Sequence, residues 1–181
     1  MPLTDVYTGA DGALLFIGGD NPEGADATAI LDLEAFSLTE VGRVTNVEIR
    51  VDTDLEEFHE IGRRHASSLH PGNIHVHGRI GRAYINGALL YLLLGRGASP
   101  NNVAEPYVQP ALAMNVVLKS PAAPGHRSVI DLYGVKFENW AFTLPEDDFV
   151  VESVRFKALR INVRDEEGTD MRVPAFPETA A

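Results

Sequence analysis

The sequence predicts a mainly β chain, a single domain with one apolar helix. Three observations carry this reading. Apolar and polar residues alternate with a period of two, as in Val47, Ile49 and Val51 against Glu48, Arg50 and Asp52. Clusters of Gly, Pro, Asn and Asp punctuate the alternating segments. One Leu- and Ala-rich run, AYINGALLYLLL over 83–94, has helical spacing instead. At 181 residues the chain is long enough to bury one core without disulfide or metal staples.

Composition narrows the chemistry. The absence of cysteine excludes disulfides, iron–sulfur clusters, thiolate zinc sites and cysteine nucleophiles. No apolar run approaches the ~20 residues of a membrane-spanning helix. The start, MPLTDVYTGADG, lacks the basic and apolar parts of a signal peptide, so a soluble chain made in the cytoplasm, with no membrane partner, is expected. With 15 basic against 26 acidic residues the net charge is -11, which argues against a protein that grips phosphate backbones.

In chain order, ALLFIG (13–18) is the strand-like part of a turn-rich start, and an exposed loop is expected over 18–40. A half-buried strand covers Val44 to Asp52. Asp52-Thr53-Asp54 supplies turn chemistry, so a second extended segment, Glu56 to Ala66, is expected to fold back as a hairpin. His70-Pro71-Gly72-Asn73 predicts another turn. After it, Ile74, Val76, Gly78 and Ile80 share one face of a strand, and His75, His77 and Arg79 share the other. The helix over 83–94 ends at Gly95, a C-terminal cap, and its apolar surface must pack on a sheet or between subunits. A loop follows over 95–110, then strands over 111–119, 127–138 and 149–164, separated by SPAAPGH and LPEDD. In the last strand the apolar phase slips between Phe156 and Leu159, which predicts a β-bulge near Ala158. The acidic, Pro-containing tail over 165–181 is expected to be mobile. There is no internal repeat.

The stretch 59–82 holds five of the six histidines and four arginines. His75 and His77, two apart on a strand, have the spacing of cupin metal ligands. The expected carboxylate is missing, and Arg79 and Arg82 would repel a cation, so surface or interface histidines are the better reading. Ser67-Ser68 beside His65 and His70 is adjacency rather than a triad, and no G-x-S-x-G or phosphate-loop pattern exists. Glu56-Glu57, Asp147-Asp148 and Glu166-Glu167 read as solvated carboxylates. Arg63, Arg64, Arg79 and Arg82 form too small a group for nucleic acid and fit carboxylates on a neighbouring subunit better. No catalytic constellation and no cofactor site emerge, so a non-enzymatic, assembling protein is expected.

The order of elements, with VGRVTNVEIRVD, EIGRRHASSLHPGNIHVHGRIGRAYINGALLYLLLG and VKFENWAFTLPEDDFVVESVRFKALRINV, resembles the tail tube proteins of bacteriophages and the tubes of contractile injection systems over residues 40–164. The resemblance implies a β-sandwich or small β-barrel with one flanking α-helix, whose strands join an inter-subunit barrel in a hexameric ring. Stacked rings would form a hollow virion tail tube through which genomic DNA passes without specific binding, with tape-measure, sheath and terminator proteins as partners. It further implies that the hairpin from Val44 to Ala66 feeds the inner barrel with a polar face of Glu48, Arg50 and Asp52, and that an acidic bore would not hold a polyanion. Arg63, Arg64, His75, His77, Arg79 and Arg82 become candidate inter-subunit contacts, and the loops over 18–29 and 95–110 candidates for ring stacking. Two other functions are expected to behave differently: a small metal-dependent β-barrel enzyme built on His75 and His77, and an adaptor that assembles only with a partner.

Overall fold

A computed structural model describes residues 7, 9–18, 27–28, 41, 43–83, 87–95, 109–120 and 123–167. A 3-10 turn, Gly9–Asp11, leads into β1 (Gly12–Gly18). Then come β2 (Val44–Phe58), β3 (Ser68–Ala83), α1 (Ala88–Leu94), β4 (Leu112–Ser120), β5 (Ala123–Thr143), β6 (Val151–Ala158) and β7 (Arg160–Glu167). The pairing order is β1-β4-β5-β6-β3-β2, with β7 also on β5, and every pair is antiparallel. The predicted class, mainly β with a flanking helix, is the observed one.

The length of β5 explains the architecture. Its first part, His126 to Tyr133, pairs with β7 and, on its other side, with β4; its second part, Lys136 to Thr143, pairs with β6. One strand therefore belongs to two sheets, β1-β4-β5-β7 and β5-β6-β3-β2. Apolar side chains from both meet in one core: Leu14, Phe16, Met114 and Leu132 from the first, Val76, Ile80, Val154 and Phe156 from the second. Phe16 and Phe137 meet edge to face, with ring centroids 5.8 Å apart.

The strand ribbon turns from one sheet to the other at Gly134 and Leu159. Gly134 has φ 62°, and a Cβ there would lie 2.6 Å from the Leu159 side chain, so only glycine fits. The phase slip predicted near Ala158 is a strand break at Leu159, whose N–H still donates to the Tyr133 carbonyl at 2.9 Å. The accompanying register shift lies on the facing strand, between Phe137 and Asn139.

Two predicted turns are corrected. Asp52-Thr53-Asp54 lies inside β2, and His70-Pro71-Gly72-Asn73 lies inside β3. They face each other: the register slips between Thr53 and Leu55, Leu55 stands opposite Pro71, and Gly72 lies against Asp54. The turn chemistry thus makes one bulge. Pro71 is tolerated because β3 has its second partner, β6, only from Val76 onward, so no N–H is missed on that side. The true reversal is at 59–67, closed by hydrogen bonds from Ser67 N–H to Phe58 O (2.8 Å) and from Arg63 N–H to Glu60 O (3.1 Å). Glu56 to Phe58 finish β2, and the expected second strand over 56–66 does not form.

The helix is shorter than expected at its start, because Ala83 ends β3 opposite Val151. Ala88, Leu89 and Leu92 are fully buried, and Gly95 caps the helix as predicted, its N–H donating to Tyr91 O at 2.7 Å. Among the described residues no helix is long and apolar enough to cross a membrane. β5 exceeds its predicted span at both ends, and β7 carries Asp165 to Glu167. Most of the loops expected over 18–40 and 95–110, and the tail over 168–181, lie outside the described residues.

Candidate assembly surface

β2 and β3 pair from Val44↔Arg82 out to Phe58↔Ser68, but β6 covers β3 only over Val76–Ala83. Residues 51–58 and 68–75 therefore project as a ribbon of two strands, exposed along its length. Such a ribbon is marginal alone in water, and among the described strands neither of its outer edges has a further partner. The alternation that sets Val47 and Ile49 against the core continues past the end of the core. It leaves Val51 50%, Leu55 60%, Leu69 58% and Ile74 66% exposed, an apolar surface that none of the described core residues covers.

The other face of the ribbon is polar. In register stand Glu48↔Arg79, Arg50↔His77 and Asp52↔His75. His77 Nε2 lies 3.5 Å from Asp52 Oδ2, His75 Nε2 lies 3.3 Å from Asp54 Oδ2, and Arg50 Nε donates to Glu48 Oε1 at 2.6 Å. The predicted polar-face residues Glu48, Arg50 and Asp52 are thus brought together with His75, His77 and Arg79. Arg63 and Arg64 sit in the reversal at the tip, with Arg63 3.1 Å from Glu60. Arg82 is elsewhere: it is buried in the chain and ion-paired to Glu152, which also accepts from Trp140 Nε1 at 2.9 Å.

The metal and nucleophile readings find little geometry. His75 and His77 each face their own aspartate, and among the described residues no group of three or more His, Asp or Glu is placed to hold an ion. Ser68 Oγ does lie 3.0 Å from His70 Nε2, but both are exposed on the ribbon, and among the described residues no carboxylate orients that imidazole.

At the base of the ribbon the same face forms a cleft of about 520 Å³ lined by Glu48, Arg50, His77, Arg79, Glu138, Arg155 and Lys157. Lys157 Nζ lies 2.9 Å from Glu138 Oε1. That hydrogen bond and charge, helped by Arg155 and His77, hold the Glu138 carboxyl below its ordinary range. Sequence reasoning missed Glu138, Arg155 and Lys157. The signal was there: in VESVRFKA, Arg155 and Lys157 alternate with the buried Val154 and Phe156.

No family model and no curated protein matches the sequence. Solved structures do match in fold. The sheath–tube complex of an extracellular contractile injection system, PVC, in its extended state, aligns with a TM-score of 0.59 at 9% identity, over 90% of this chain and 93% of that one. The anti-feeding prophage (AFP) baseplate gives 0.58 at 9% identity, over 91% and 97%. The SPP1 tail tube gives 0.53 at 10% identity, over 91% and 81%. The chain has the fold of phage tail tube and injection-system tube proteins, as its sequence resemblance led us to expect.

Proposed function

We propose that this chain is the structural subunit of a hollow tube of the phage-tail or injection-system kind, built from hexameric rings that stack. The observation that carries the reading is the projecting ribbon, whose edges have no further partner among the described strands and whose apolar side chains Val51, Leu55, Leu69 and Ile74 are exposed. Placed on a neighbouring copy, the ribbon hides that apolar surface and pairs its edges, closing an inner barrel between subunits. The polar face with Glu48, Arg50 and Asp52 then lines the bore. Arg63, Arg64 and His75 on the ribbon and its tip, and His77 and Arg79 at its root, lie where a neighbour's carboxylates can meet them, and Arg82 supports the root from inside the core. Genomic DNA is the passenger, tape-measure, sheath and terminator proteins are the partners, and the tail of the particle is the location. Sedimentation of the purified chain across a concentration series tests the reading. Growth to rings or longer assemblies without any added partner is expected; a species that stays monomeric and associates only with a second protein would identify an adaptor instead.

A further inference from the structure

The cleft at the root of the ribbon is basic although the chain is acidic. Four of its lining side chains are Arg or Lys (Arg50, Arg79, Arg155, Lys157) and two are Glu (Glu48, Glu138), a balance of +2 in a chain of net -11. Two of these cations already have partners, since Arg50 is turned to Glu48 and Lys157 to Glu138. Arg79 and Arg155 are direct cross-strand neighbours between β3 and β6, and among the described residues neither has an ion pair. Like charges set directly opposite each other destabilise a sheet unless an anion lies between them. Glu48 is the in-register neighbour of Arg79 and could have served, yet it bonds Arg50.

We propose that this cleft is an oxyanion site that takes a phosphate group, with Arg79 and Arg155 as its two guanidinium donors. Each guanidinium presents a planar fork of N–H donors that matches tetrahedral phosphate oxygens. Beside them the Glu138 carboxyl is lowered chiefly by Lys157, with a smaller part from Arg155. The carboxylates of Asp52 and Asp54 begin a few residues out along the same face, so the foothold is local and the grip weak and salt-sensitive. The site lies within one chain and does not depend on assembly. If the chain forms a tube, the bore is banded in charge rather than uniformly repulsive.

The test is titration of the purified full chain at low ionic strength, following the arginine Nε–H resonances. The probes are inorganic phosphate, a short oligothymidylate and polyglutamate. Saturable shifts at Arg79 and Arg155 are expected with a phosphate probe. Arg79→Gln and Arg155→Gln should each weaken binding about tenfold, as loss of one charged hydrogen-bonding group does. Arg160→Gln, exposed on β7, should bind like the parent. All three positions are exposed, so matching circular dichroism and melting curves confirm folded variants. Saturation by free phosphate alone marks a small-ligand site and saturation by the oligonucleotide a polymer contact; either supports the proposal. Unmoved resonances, equal binding by both glutamine variants, or binding of polyglutamate alone would overturn it, whether or not the protein assembles.

Discussion

Glu152 shows how much one side chain carries. It is fully buried, holds the buried Arg82 and accepts from Trp140. Glu152→Ala takes the carboxylate away from a buried guanidinium and should cost about 3–5 kcal/mol in urea unfolding, whereas the double change Arg82→Met with Glu152→Leu should recover much of it. Gly78 is equally constrained, because a Cβ there would lie 2.1 Å from the Glu48 carbonyl oxygen and 2.5 Å from Phe156 Cζ. Gly78→Ala should destabilise by about 1–3 kcal/mol by the same measurement. Glu138 offers a pH test. Its carboxyl, lowered first by the Lys157 hydrogen bond and charge, favours the folded state above the ordinary glutamate range and loses that contribution as pH falls through its lowered value. In an NMR titration Lys157→Gln should move the Glu138 midpoint up toward the ordinary value. At this scale the sequence held more than grouping by proximity extracts. Arg79 and Arg82 are three apart on one strand, an odd separation that puts them on opposite faces, so Arg82 belongs with Val76 and Ile80 in the core.

The ribbon is the element on which the account depends. Leu55→Ser and Ile74→Ser remove exposed apolar surface, so each should leave the stability of the isolated chain within about 0.5 kcal/mol while weakening self-association in sedimentation. The strands themselves were legible from their alternation, but the ribbon's length was not. Asp52-Thr53-Asp54 and His70-Pro71-Gly72-Asn73 are good turn sequences taken singly, and only their pairing in one hairpin makes them a shared bulge. They lie nearly symmetric about Gly62, within the true reversal, which carries weaker turn signals than either. The helix was read correctly in its apolar character and its Gly95 cap, and its start was misjudged because Ala83 suits a helix by propensity while its pairing with Val151 keeps it in β3.

For the whole molecule, alternation and turn chemistry were enough for the class, since each strand's period is local information. The sharing of β5 between two sheets was not legible, because it depends on which strands meet along its length and on the corner at Gly134 and Leu159. Net charge gave the average and hid the distribution: the acidic carboxylates Asp52 and Asp54 and the basic cleft around Arg79 and Arg155 share one face. The central claim is that the ribbon builds a tube from copies of this chain alone. Electron microscopy of the purified full chain beside a Leu55→Asp, Ile74→Asp double variant tests it most directly. Hollow rods or six-membered rings from the parent and isolated particles from the variant are the result the account predicts. A parent that remains dispersed at high concentration, or a variant that assembles as the parent does, would contradict it.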